Sequence, residues 1–295
     1  MEPTLTIFTP TFNRSYILPA LFESLKKQTS KDFLWLVIDD GSTDNTEELI
    51  KTWQESTLPF VIKYHKQENG GKQRAHNTAV ELCESELFLC VDSDDFLIDE
   101  AVELILTTWD PYRNDFSISG IIALKGYDSS TPMGSNLPNN IVRTPLTELY
   151  QRHGFTGETA LIFRTSILKN YSYDVVKGEK FITESYIYLQ IDQKYSMIVL
   201  DRVINICGYQ SDGYTKNIFR VIYENPRSYM RLKNLSMELA TNPKHRFLNA
   251  VNLISAFFIV RRRDNYFSWN ALTLLAIAPG FLLYLKRFHK YSKQG

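Results

Sequence analysis

Four polar clusters in the first hundred residues carry side chains able to bind a charged ligand. They are Thr9-Pro10-Thr11-Phe12-Asn13-Arg14, Asp39-Asp40-Gly41-Ser42-Thr43-Asp44, Glu68-Asn69-Gly70-Gly71-Lys72 and Asp92-Ser93-Asp94-Asp95. Three carboxylates within the last four residues exceed what a helix cap needs. Hard oxygen ligands grouped this way suit Mg²⁺ or Mn²⁺, which bind through one or two carboxylates plus the phosphates of a substrate. Carboxylates collected on one rim repel each other unless something positive sits among them. Gly70-Gly71-Lys72 has the character of a phosphate cradle without the spacing of a P-loop, and taken alone it reads equally as a turn. Asp39-Asp40-Gly41-Ser42, taken alone, reads equally as a turn with a helix cap.

Each cluster follows a strand pattern. Leu5–Thr9, Phe33–Ile38, Phe60–Tyr64 and Leu87–Val91 are apolar runs of strand length, and Phe33–Ile38 is continuous enough to be buried on both faces. Helical patterns over Tyr16–Gln28, Thr43–Ser56, Lys72–Glu84 and Asp99–Trp109 alternate with them. Such βα repeats predict a parallel, doubly wound sheet with right-handed crossovers. In such a sheet ligands bind beyond the carboxyl ends of the strands, where all four clusters fall. Further strands are expected over Ser117–Leu124, Ala160–Phe163 and Met197–Val203, a helix over Ile182–Lys194, and a loop over Gly126–Asn140. After Tyr214 only helical patterns remain: Ile218–Ala240, Lys244–Arg262 and Trp269–Phe288.

The 295 residues are 44% hydrophobic and 22% charged, enough to bury a core and to exclude a disordered chain. Lys+Arg and Asp+Glu both number 33, and this balance argues against a binder of nucleic acid. Cys83, Cys90 and Cys207 are odd in number, widely spaced and without a CxxC, as expected of reduced thiols in a cytosolic setting. The N-terminus has no secretory pattern. The zero net charge hides an asymmetry. From Arg261 to Gly295 seven basic residues oppose only Asp264, a net of +6.

The order and spacing of the clusters, from Thr9–Arg14 through Asp39–Asp44 and Asn69-Gly70-Gly71 with Ala75-His76-Asn77 to Val91–Asp95, resemble family 2 glycosyltransferases with the GT-A fold. The resemblance covers roughly residues 4–215 and leaves the tail outside. It implies an α/β, Rossmann-like, mostly parallel sheet flanked by helices over residues 1–215, with a C-terminal helical extension over 216–295. It implies that Asp40 faces the base of a nucleotide, with Thr11, Phe12 and Arg14 around base and ribose. It assigns Asp92 to the ribose and Asp94 to a Mg²⁺ or Mn²⁺ ion on the diphosphate, with Lys72 as a second positive charge there. His76 stands where the family often has arginine, a departure that removes the usual reason to expect a ligand contact at that position.

Inversion at a sugar carbon needs a base on the acceptor hydroxyl. The family supplies it from a Glu-Asp pair, which Gly178–Ser185 lacks; Glu184 is the candidate, with Glu179 in reserve and Asp192 too far along. Glu158, in the loop before Ala160–Phe163, is the expected ligand of the sugar or acceptor, and Tyr209–Thr215 resembles a segment that closes over the diphosphate.

Ala271–Leu285 is too short to span a bilayer, is interrupted by Pro279-Gly280, and is flanked by basic and aromatic residues. The expectation is attachment to an anionic membrane surface, peripheral at the inner face of the cell membrane, with packing on the core or on a second copy as the alternative. The reading is an inverting, metal-dependent transferase that moves a sugar from a nucleotide-sugar, of UDP type, to a saccharide or lipid-linked saccharide in surface polysaccharide synthesis. A sugar nucleotidyltransferase and a non-catalytic nucleotide-sugar-binding subunit are the alternatives.

Overall fold

The computed structural model describes residues 2–138, 140–208, 214–260, 267 and 269–293. The chain divides into two compact units, Met1–Ser172 with Gln190–Gln210, and Tyr173–Leu189 with Ser211–Gly295. Of the expected features, Tyr209–Gly213, Arg261–Arg263 and Tyr266 lie outside the described residues.

The first unit is built on one sheet. Its opening strands are β1 (Leu5–Thr11), β2 (Phe33–Asp39), β3 (Val61–Lys66) and β4 (Leu87–Cys90). Between them run α1 (Leu18–Lys27), α2 (Thr46–Gln54) and α3 (Lys72–Leu82). These four strands are mutually parallel, in the order β3-β2-β1-β4. Then come β5 (Asp95–Leu97), α4 (Ala101–Trp109), β6 (Ile118–Gly126), β7 (Arg143–Thr144), α5 (Leu146–Gln151), β8 (Thr159–Arg164) and α6 (Thr165–Leu168). Helix α7 (Ser185–Ile191), most of which belongs to the second unit, precedes β9 (Ser196–Cys207) in the chain. The sheet continues from β4 through β8, β6 and β9 to β5, with β7 on β9. Here the directions mix: β8 runs against β4 and β6, and β6 is parallel to β9.

Strand alternation sends side chains to two faces. Leu5 and Ile7 of β1 join Leu21, Leu25, Trp35, Ile105 and Trp109 in the main core with α1 and α4. Phe8, on the other face, stacks on Phe88 at 5.5 Å and meets the His76 ring of α3 at 5.8 Å. His76 is thus core packing beneath the site. Pro19 in the first turn fixes the start of α1.

The second unit is helical: α8 (Tyr214–Glu224), α9 (Pro226–Leu239), α10 (Pro243–Val260), α11 (Ala271–Leu275) and α12 (Ile277–Arg287). The continuous helix expected over Ile218–Ala240 is two, because Pro226 drives the residue before it out of the helical region: Asn225 has φ −129° and ψ 50°. The last segment breaks at Ala276 and not at Pro279-Gly280. Pro279 falls in the first turn of α12, where a missing N–H costs nothing.

Candidate active site

The carboxyl ends of β1 and β2 are stitched together by side chains. Asn13, held at φ +54°, accepts from the Thr43 backbone N–H at 2.8 Å, and its own N–H donates to Ser42 Oγ at 2.8 Å. Ser15 donates through both N–H and Oγ to Asp44. Asp39 is fully buried and accepts from Ser42 N–H at 2.7 Å and from the Tyr64 hydroxyl at 2.6 Å. These bonds fix the turn that carries Asp40. Around it, Thr11 is buried with its hydroxyl oxygen unpartnered among the described residues, Phe12 is exposed, and Arg14 donates to the Tyr16 hydroxyl at 3.1 Å.

Asp40 holds the Gly-Gly turn. Its carboxylate accepts from the N–H groups of Gly70 at 2.9 Å and Gly71 at 2.7 Å, and from Gln67 Nε2 at 2.8 Å. Gly71 adopts φ +92°, a conformation in which a side chain is strained. A carboxylate offers about four acceptor positions. Among the described residues, three of these are used.

At the end of β4 the three carboxylates are sorted by two lysines. Lys72, opening α3, places Nζ 2.7 Å from Asp92. Lys125, near the end of β6, places Nζ 2.8 Å from Asp95 and 4.0 Å from Asp92. Asp95 is buried and accepts also from Asn205 Nδ2 at 3.2 Å. Burial works against the charge of Asp92, but Lys72 and Lys125 outweigh it and hold its carboxyl below the ordinary range. Burial likewise disfavours the Lys125 ammonium, and the carboxylates of Asp95 and Asp92 outweigh it, raising its pKa. Asp94 goes the other way. Burial first, then the charges of Asp92 and Asp95, raise its pKa. Lys125 lies one residue beyond the strand expected over Ser117–Leu124; with β6 running on to Gly126, the rule of strand ends applies to it as well.

The remaining candidates divide between the units. Glu158 is exposed, and its carbonyl accepts from the Lys125 backbone N–H at 3.1 Å. Asp192 caps α5, accepting from the N–H groups of Leu146 and Thr147. Glu184 and Glu179 belong to the second unit. Glu184 stands immediately before α7, half-buried, with its carbonyl accepting from the Tyr173 hydroxyl. Glu179 is buried, and its two oxygens accept from the N–H groups of Arg227 and Ser228 at the start of α9. It acts as a helix cap, which weighs against its use as a base.

Among the described residues no group of three or more His, Cys, Asp or Glu side chains could hold a metal ion by itself. The donor set nevertheless fits a cation completed by a ligand's phosphates. Asp92 and Asp95 are matched by ammonium groups, whereas at Asp94 the neighbouring carboxylates of Asp92 and Asp95 outweigh the charge of Arg14.

The profile of the family described as glycosyl transferase family 2 matches residues 6–171. The GalNAc(5)-diNAcBac-PP-undecaprenol beta-1,3-glucosyltransferase of Campylobacter jejuni is 25% identical over 228 residues, covering 74% of this chain and 71% of that protein. The crystal structure of S. aureus TarS 1-349 in complex with UDP-GlcNAc superposes with a TM-score of 0.60 at 17% identity, covering 98% of this chain and 92% of that one. The mannosyltransferase PcManGT from Pyrobaculum calidifontis, in complex with GDP-Man and Mn²⁺, superposes with a TM-score of 0.57 at 17% identity, covering 97% and 82%. At such identities the two structures establish a shared fold. Other curated relatives are much longer, and the chain spans only 16% and 28% of two of them. The family profile runs through the strands that carry all four polar clusters, and the chain belongs to glycosyl transferase family 2, with a GT-A fold.

Proposed function

We propose that the protein is an inverting glycosyltransferase that moves a sugar from a UDP-sugar to a lipid-linked saccharide at the inner membrane face, as a step in surface polysaccharide synthesis. The observation that carries the donor site is at the carboxyl ends of the strands, where Asp40 holds the Gly-Gly turn and Lys72 and Lys125 pair with Asp92 and Asp95 on either side of Asp94. The fourth acceptor position of Asp40 suits the N3–H of a uracil. Thr11, Phe12 and Arg14 border the base and ribose, and Asp92 binds the ribose. A divalent cation, Mg²⁺ or Mn²⁺, held by Asp94 and the diphosphate would screen the charge that develops on the leaving group. Lys72 adds a positive charge beside it. Glu184 takes the acceptor hydroxyl proton as the acceptor oxygen bonds to the anomeric carbon. The bond from that carbon to the phosphate oxygen breaks, and its electron pair leaves with the diphosphate. Glu158 hydrogen-bonds a sugar hydroxyl. The UDP-GlcNAc complex of TarS supports the donor class, and the undecaprenol-linked substrate in the name of the Campylobacter relative supports the acceptor class.

The test is incubation of the full chain with a panel of UDP- and GDP-sugars, Mn²⁺ and undecaprenyl-diphosphate-linked saccharides. Release of UDP together with a lengthened lipid-linked product is the expected result. Binding of UDP without transfer from any donor would establish the non-catalytic alternative, and preference for GDP-sugars would overturn the donor assignment.

A further inference from the structure

Helices α11 and α12 are apolar on two opposite faces, and the described residues cover only one of them. The inward stripe is Thr273, Ala276, Gly280, Tyr284 and Phe288, all buried. It packs on α10 so closely that a Cβ at Gly280 would lie 2.5 Å from Ile254 Cγ2. The outward stripe is Leu274, Leu275, Ala278, Phe281, Leu282 and Leu285, all exposed, with Leu275 at 71% and Leu282 at 65%. A helix facing water carries polar residues there. Single exposed apolar side chains are ordinary; a continuous run at helical spacing marks a contact surface.

Charge selects the occupant. Between Glu238 and the last residue, Asp264 is the one acidic residue, and Lys286, Arg287, Lys290 and Lys293 follow directly on the outward stripe. Cores of protein interfaces are poor in lysine. An apolar helix face closed by a basic cluster, with an exposed tryptophan (Trp269, 48%) at its other end, has the chemistry of the lipid headgroup boundary. No helix among the described residues is long and apolar enough to cross a membrane.

We infer that the outward face of α11 and α12 is a docking surface for an anionic bilayer, on which these helices lie in the interface plane. The inference deepens the reading of a membrane-borne acceptor and rests on it for the choice of lipid. Vesicle binding and sugar transfer are therefore measured separately, so that either can fail alone.

The experiment is co-sedimentation of the full chain with vesicles of phosphatidylcholine, with and without phosphatidylglycerol. The wild type should bind the anionic vesicles in preference, and high salt should release part of it. Leu275→Glu with Leu282→Glu should lower partitioning about tenfold or more while leaving the circular dichroism and melting temperature unchanged, since both side chains are exposed. Lys286→Glu with Lys290→Glu should abolish the preference for anionic over neutral lipid. Wild-type partitioning by the Leu275/Leu282 variant would overturn the assignment of the face. So would absence of vesicle binding, including the case in which light scattering shows a wild-type dimer that this variant splits. Retained vesicle binding with no transfer to any acceptor would count against the proposed function and leave the docking surface standing.

Discussion

At Asp94 and Lys125 the site turns on which carboxylate keeps a cation of its own chain. Asp94→Asn should leave the fold intact and remove the part of UDP affinity that depends on Mn²⁺. Calorimetry with and without the ion checks this, and an unchanged metal dependence would move the ion elsewhere. Lys125→Met leaves Asp95 buried without its ammonium partner, a change that costs about 3–5 kcal/mol of stability. Lys125→Met combined with Asp95→Asn should recover most of that loss in urea unfolding, because the stranded charge is gone. Glu184→Gln is nearly isosteric; it should keep UDP binding and lower transfer by roughly 10²–10⁴-fold. A variant that transfers at the wild-type rate would take the base away from Glu184. The acidic turn and the Asp40 turn were legible because strand ends can be read from hydrophobic runs. The role of Asp40 in holding the Gly-Gly turn was not, since it depends on backbone N–H groups thirty residues away, which carry no residue-type signal. Glu179 shows the converse: a carboxylate at a suggestive position whose oxygens are spent on the start of a helix nearly fifty residues further on.

Among the elements, the parallel strands and their helices were readable from periodicity, and so were β6, β8 and β9 as strands; the reversed direction of β8 and the short strands β5 and β7 were not. Strand β5 is three residues long and lies inside a run that also reads as a turn. Its antiparallel pairing with the far end of β9 is set by tertiary structure alone. Prolines decided the helices in both directions, breaking the expected helix before Pro226 and sitting harmlessly in the first turn of α12 at Pro279. Helix α9 carries a pH-dependent load. Burial, with the nearby Arg287 charge, pushes Lys233 down to about 8. A lysine whose folded pKa lies below its unfolded value costs stability while it is charged in both states. The cost is relieved as pH rises from the folded value toward the unfolded one, about 10.4. Lys233→Met should therefore raise the melting temperature at pH 7 by a few degrees, and the advantage should shrink toward pH 10. A constant difference across that window in scanning calorimetry would show that the gain comes from packing alone.

For the molecule as a whole, the helical unit is one packed body and not a removable tail. Met230 and Met237 of α9 share a core with Ala250, Val251 and Ile254 of α10. A chain ending near Asn242 would expose that face, and proteolysis should then reach Tyr173–Leu189, the segment that carries Glu184. UDP binding, whose expected residues all lie in the first unit, should survive the cut. Loss of both together would show that the units fold only as one. The segregation of charge between the tail and the rest of the chain has a colloidal consequence. The isoelectric point is about 7.0, so no net repulsion keeps molecules apart at neutral pH, while the basic end of one attracts the acidic remainder of another. Added salt shortens the reach of that attraction. Solubility should therefore pass through a minimum near neutrality and increase with sodium chloride, a salting-in that static light scattering would record as a second virial coefficient turning from negative toward zero.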